Sequence, residues 1–351
     1  MATALSATEA WLRPLDRART AVFVRALRVG PLRHVLLEKR RRVPALLLVH
    51  ACAAFVLSVL APTLLLVVGP LLLGVAHLVA DLRYLVLRTQ LATAARACLL
   101  GGSLLLLGLE LGELLGFHAL TRCELPLAAV WVATCAGFGA RGQRAGRVWA
   151  IAGAAAAFAV TACVVPGALR LAVAHAHNVL AIVLWALVFR KERRGALALT
   201  AGLAIATLVL LATPLAWLGF KHGLQQALGL HAFAAAQQLA PFAQGAPLAL
   251  GVVASFAFLQ SVHYAVWLHA IPQEATPSEG TLSFRMSYHA LRGDLGAWGL
   301  GLAALLVALV PLLGLLAPLR TQATYLLLAS FHAYLELAAL SLWWVSGRGS
   351  R

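Results

Sequence analysis

Apolar runs about as long as a bilayer core is thick follow one another along this chain, and they leave one fold class open. A helix crossing ~30 Å of hydrocarbon needs about 20 mostly apolar residues. Runs of that kind occupy 43–66, 68–88, 94–117, 124–140, 148–166, 169–189, 196–219, 246–269, 295–317 and 322–345, the fourth being the shortest. The expectation is an all-α, polytopic integral membrane bundle of about ten transmembrane helices.

Composition agrees. Of 351 residues 62% are hydrophobic and 11% charged, where a soluble domain carries about 25% charged residues. No separate soluble domain is visible. The formal net charge of +16 would suit nucleic acid if it lay on a polar surface. Here it is concentrated in short loops: EKRRR (38–42), Arg83 with Arg88, RGQRAGR (141–147), RKERR (190–194), the loop holding Arg285 and Arg292, and the tail with Arg348 and Arg351. With ten spans these all fall on one side, against isolated charges such as Arg122, Arg170, Lys221 and Arg320 on the other. That is the positive-inside pattern. It places both termini in the cytoplasm of a bacterial-type inner membrane and excludes nucleic acid as a partner.

Three parts follow: a basic amphipathic N-terminal segment (1–42) lying on the cytoplasmic face, the bundle (43–346), and a short cytoplasmic tail (347–351). The first ~40 residues lack the compact apolar core and cleavage site of a signal peptide. Cys52, Cys98, Cys123, Cys135 and Cys163 have no C-x-x-C spacing and imply no disulfide framework. The Ala- and Gln-rich stretch 220–247 reads as a helix at the outer interface, a plain connector rather than a lid. No internal repeat is evident.

Ionisable groups inside hydrocarbon are costly and mark function by default. Four spans carry histidines at similar depth: His77 (GVAHLVADLRY), His175 and His177 (VAHAHNVLAIVLW), His263 (FLQSVHYAVWLHAIP) and His332 (SFHAYLELAA). These are the second, sixth, eighth and tenth spans, which all run from outside to inside. Counted inward at ~1.5 Å per residue, His77, His177, His263 and His332 fall in the middle third of their helices. Asp81 and Glu336 follow His77 and His332 at i+4 and share their helix faces. Imidazole with carboxylate and no thiolate suits iron, zinc or manganese. The candidate metal ligands are therefore His77, Asp81, His175, His177, His263, His332 and Glu336. His175 and His177 point to nearly opposite faces, so one of them is the better ligand, with His177 favoured on depth.

Gln260, Asn178, Asp81 and Glu336 are candidates to orient the ring nitrogens that face away from an ion. Tyr84, at i+7 from His77, and Tyr264 are candidate catalytic neighbours beside Asp81 and Glu336. The alternative for each histidine is a plain interhelical hydrogen bond, which is the reading adopted for His50 and His118. His269 reads as interfacial. Glu110 and Glu113, near the outer end of the third span, read as interfacially exposed, and Trp185, Trp267, Trp343 and Trp344 as interface anchors.

The segment GVAHLVAD (74–81) resembles the G-[IV]-P-H-G-x-x-D element of the Brp/Blh family of membrane β-carotene 15,15′-dioxygenases, with Ala76 in place of the proline and Leu78 in place of the glycine. The resemblance covers one helix. It implies iron held by intramembrane histidines, His77 among them, and oxidative cleavage of a long apolar polyene. A looser similarity is to seven-helix ceramidase-like zinc hydrolases, which have fewer spans.

The favoured function is a membrane-embedded, metal-dependent oxidoreductase, with non-haem iron and O2, acting on a lipophilic small molecule such as a carotenoid or lipid drawn from the surrounding membrane lipids. Alternatives are a zinc-dependent lipid hydrolase with Asp81 or Glu336 as general base, a haem protein, which leaves the two acids unexplained, and a proton- or metal-coupled transporter, against which stands the absence of an inverted repeat.

Overall fold

The computed structural model describes residues 2–118, 121–140, 145–190, 193–217, 239, 247–276 and 283–347, and all regular structure among them is helical. In chain order the α-helices are α1 (Ala2–Leu27), α2 (Gly30–Leu37), α3 (Lys39–Leu60), α4 (Pro62–Asp81), α5 (Thr93–Leu114), α6 (Thr121–Gly139), α7 (Ala145–Val164), α8 (Pro166–Leu184), α9 (Arg193–Ala212), α10 (Pro247–Ala265), α11 (Ile271–Glu274), α12 (Phe284–Leu316), α13 (Pro318–Ala329) and α14 (Phe331–Ser346). Most of the connector 220–247 and of the tail 347–351 lies outside the described residues.

Among the described residues nine helices are long and apolar enough to cross a membrane. They coincide with nine of the ten runs in the sequence. The remaining run is α6, whose first turns hold Arg122, Glu124 and Pro126; it packs against α5, α7 and α14 as an integral part of the bundle.

Three hairpins, α3–α4, α7–α8 and α12–α13, reverse the chain through a single residue. Ala61, Val165 and Ala317 take φ/ψ of −150/58, −134/59 and −148/73, and each is followed by a proline that opens the next helix. The ring of a proline pushes the residue before it out of the α region, while its own fixed φ and missing N–H suit a first helical position. Pro62, Pro166 and Pro318 thus end one span and start the next.

Three histidine-bearing spans also end alike, in π-helical turns at Leu82–Leu87, Trp185–Phe189 and Val266–Ala270. The i→i−5 bonds Arg88 N–H to Arg83 O and Arg190 N–H to Trp185 O close two of them. Such turns concentrate at functional sites.

Ion pairs stitch the ends of these spans together. Asp294 of α12 receives Arg83 Nε at 2.5 Å and Arg88 Nε at 2.8 Å. Arg190 bonds Glu274 Oε1 at 2.7 Å and the Arg40 carbonyl at 2.9 Å. Arg147 reaches the Trp344 carbonyl at 2.8 Å. Described residues of four of the basic clusters, Arg40, Arg83 with Arg88, Arg147 and Arg190, are thus tied to neighbouring helix ends. α12 bends at Gly296 (φ 71, ψ 175), a backbone only glycine adopts cheaply. Before the bend, α1 is clipped to α12: Asp16 accepts the Phe284 N–H at 2.6 Å and Arg285 Nε at 3.0 Å. Partial desolvation raises the Asp16 pKa, but these bonds outweigh it and hold the carboxyl below its usual range.

α10 is the central helix, enclosed by α3, α4, α8 and α9, whereas α7 and the apolar part of α12 are peripheral. Three expectations about polar and aromatic positions are corrected here. Trp185 and Trp267 are fully buried and Trp343 nearly so, leaving Trp344 as the exposed one. Glu110 is buried rather than interfacial. Arg170 is not isolated: its Nε lies 3.0 Å from Glu124 Oε2, and Tyr334 donates to Glu124 Oε1 at 3.1 Å. α6, α8 and α14 meet around these groups, so a carboxylate near a helix end is covered by neighbours that helix-by-helix counting cannot supply.

Candidate metal centre

Histidines from four helices that are far apart in sequence meet inside the bundle. His77 comes from α4, His177 from α8, His263 from α10 and His332 from the first turn of α14. One ring nitrogen of each lies within 4.8 Å of the others, a group that could hold a metal ion. The closest approaches are between Nε2 atoms: His77 to His263 at 3.1 Å and His177 to His332 at 2.7 Å. At metal–nitrogen distances of about 2.0–2.1 Å, two imidazoles on one ion stand about 2.9 Å apart in cis octahedral and about 3.4 Å apart in tetrahedral geometry. The observed spacings are of that size.

The other ring nitrogens explain why Nε2 faces inward. His77 Nδ1 donates to the Gly74 carbonyl at 3.0 Å. His332 Nδ1 donates to the Ala329 carbonyl. That acceptor is available because the helix tightens at Ser330: the Ala333 N–H bonds the Ser330 carbonyl at 3.3 Å instead of reaching back to Ala329. His177 Nδ1 faces Glu336 Oε2 at 3.4 Å. A proton on Nδ1 leaves a lone pair on Nε2. At least two of the four rings therefore present acceptors toward a common centre, where a cation or the Nε2–H of a neighbouring ring satisfies them.

Both carboxylates are fully buried beside this centre. Asp81 Oδ2 is 3.5 Å from His77 Nε2, on the side where the nitrogens converge, and neither Asp81 oxygen has a hydrogen-bond partner. Glu336 accepts from Trp267 Nε1 at 2.8 Å and lies 3.8 Å from His263 Nε2. Four neutral imidazoles and two carboxylates around one divalent ion sum to zero formal charge, a balanced set for a medium that penalises net charge.

Other sequence candidates lie differently. His175 does not join the four rings: its Nε2 lies 3.2 Å from the Leu239 carbonyl, and its ring packs on Phe256. Tyr264 does border the centre, with its ring 5.0 Å from that of His77. Tyr84 sits at the charged end instead, its hydroxyl receiving Arg83 Nη1 at 3.3 Å. Gln260 and Asn178 are buried one turn before His263 and next to His177, and Asn178 Nδ2 has no partner. His50 and His269, bystanders by sequence, stack on each other with centroids 5.7 Å apart.

Two further residues complete the surroundings. Trp267, an interface anchor by its position in the span, instead holds Glu336. Tyr325 of α13 packs its ring against Gly74, where a Cβ would fall 2.7 Å from Tyr325 Cε1 and nearer still to Cζ and the hydroxyl oxygen. Its hydroxyl is buried without a partner. The glycine before His77 thus gives room to a tyrosine from another helix.

No family model matches the chain, and neither a curated protein nor a solved structure does. The protein is therefore described by its own site: a membrane-type helical bundle with a four-histidine cluster that could bind a metal ion.

Proposed function

We propose that this protein is a membrane-embedded, metal-dependent oxidoreductase that uses non-haem iron and O2 on a lipid-soluble substrate, a carotenoid or another polyene lipid. The observation that carries the reading is the convergence of four buried imidazole nitrogens with two buried carboxylates and no thiolate. Four imidazole nitrogens would fill a tetrahedral zinc site but would leave a six-coordinate ion room for O2, with Asp81 and Glu336 beside the set to balance its charge. Haem ligation would leave the two buried carboxylates without a role, which counts against haem. Rings whose Nδ1 protons are given to carbonyls make a poor proton relay, which counts against the transporter.

The resemblance of GVAHLVAD (74–81) to the Brp/Blh dioxygenases points the same way. Such a reaction consumes one alkene bond and one O2, and each carbon of the broken double bond leaves as an aldehyde. Bound iron would supply the O2 chemistry. The chain's own part is to hold the ion through His77, His177, His263 and His332, to balance its charge with Asp81 and Glu336, and to keep water out with the apolar walls of α4, α10 and α14.

Metal analysis with an optical spectrum on detergent-purified protein tests this. Stoichiometric iron without a Soret band is expected, together with O2-dependent loss of carotenoid absorbance. Zinc would transfer the reading to the lipid hydrolase, a Soret band to a haem protein, and absence of metal after attempted reconstitution to the transporter.

A further inference from the structure

A second feature lies between α3 and α9, outside Phe258 of α10 and away from the four clustered histidines. α3 and α9 diverge there and leave an open groove of about 760 Å³, lined by apolar side chains, among them Leu48, Cys52 and Phe55 of α3 and Gly202 and Ala206 of α9, with Phe258 of α10 as its floor. Along α9 it runs from Gly195 to Val209, about 20 Å at ~1.5 Å per residue. That exceeds half of a ~30 Å hydrocarbon core. The length and largely apolar walls of the groove suit a hydrocarbon chain.

The ends of the groove differ in charge. Pro44 and Ala45 open it on α3, and Arg40 and Arg41 lie one turn earlier on the same helix face. Both guanidiniums are exposed, and both Nε atoms sit 3.0 Å from one oxygen of Glu38. In sequence the run EKRRR (38–42) sets four cations against one acid at this end of α3. The buried Arg190 guanidinium lies at the same end, with Nη2 3.6 Å from where a Cβ on Gly195 would be. In sequence Arg193 and Arg194 open α9 immediately before Gly195.

We infer that this groove is a binding site for an anionic phospholipid of the cytoplasmic leaflet, with one acyl chain lying between α3 and α9 and the phosphate held by Arg40 and Arg41. The chemistry is that of a lipid rather than of a free anion, because the cations sit at the mouth of a long apolar slot. The site is separate from the metal centre. Its ligand is structural or regulatory, not the substrate.

Native mass spectrometry of the full-length protein, with phosphatidylglycerol or phosphatidylcholine of identical chains, tests the inference. The wild type is expected to retain one phosphatidylglycerol in preference to phosphatidylcholine. Arg40→Gln with Arg41→Gln is expected to weaken that binding about 30-fold, as loss of two surface charges predicts. Gly202→Leu fills the slot: a Cβ there meets no atom within 4 Å, so the helix accepts it and the lipid is lost. Cys52→Phe fills it from α3 as a second version, and unchanged metal content in each variant reports an intact fold. Equal binding of the two lipids, retention by both slot-filling variants, or retention by the double arginine variant would each overturn the inference.

Discussion

Replacing Glu336 by Gln separates a carboxylate that serves an ion from one that merely braces the bundle. The side chains are isosteric, and the amide oxygen of the introduced glutamine still accepts the Trp267 N–H that Glu336 takes at 2.8 Å. What changes is charge. With a divalent ion, the four imidazoles, Asp81 and Glu336 sum to zero; with Gln the same set carries +1 inside the bundle. The carboxylate lies 3.4 Å from His177 Nδ1, the position from which outer partners polarise a metal-bound histidine. Removing such a partner costs about 10–100-fold in metal affinity, or about 1.4–2.7 kcal/mol. Without the ion the sign reverses, because a fully buried carboxylate then has no cation to face and is itself a burden. Glu336→Gln should bind metal 10–100-fold more weakly in competition with a calibrated chelator. Its thermal midpoint should be at or above that of the wild type when both are stripped, and below it when both are reloaded. A variant that binds metal within about threefold of the wild type and melts lower in both states would refute the reasoning.

Three other perturbations probe the surroundings. His332→Ala removes one of the four nitrogens and should lose most bound metal while the protein still inserts; full stoichiometry by elemental analysis would place the ligands elsewhere. Gly74→Ala forces a methyl group into the Tyr325 ring and should cost about 1–3 kcal/mol of stability. A smaller residue at 325 should recover part of that loss in a double-mutant cycle, and strictly additive costs would show that the ring is not the obstacle. The Asp16 clip between α1 and α12 has a carboxyl pKa below its ordinary value of 3.8, so its contribution is fully present above about pH 4 and fades as pH falls through the folded pKa. Relative to an unstructured reference peptide, which carries pepsin's own pH dependence, pepsin should therefore cut α1 faster at about pH 2.5 than at about pH 4.5, and Asp16→Asn should show the same relative rate at both; a relative pH response that survives in Asp16→Asn would assign it to another group.

The extent to which this protein can be read from its sequence follows from what an apolar helix reports. Length and hydropathy give a helix and, by counting from its ends, the depth of each residue. That suffices for the ten runs and for the common level of His77, His177, His263 and His332. Azimuth is harder. His175 and His177 lie on two faces of one helix, and the choice between them depends on α14 and on Leu239, which neighbour α8 only in the fold. Regular helical spacing puts Tyr84 two turns from His77 on one face; the wider turn that begins at Leu82 breaks that registry, and Tyr84 joins Arg83 and Asp294 instead. Trp267 and Glu110 read as interfacial because an aromatic or acidic residue near a span's end usually belongs there, yet α10 is enclosed on all sides and α5 is capped by α6 and α14. In each case the missing information is which helix packs where. The histidines escape this limit because their cost in hydrocarbon requires that they find each other, whatever the order of the helices.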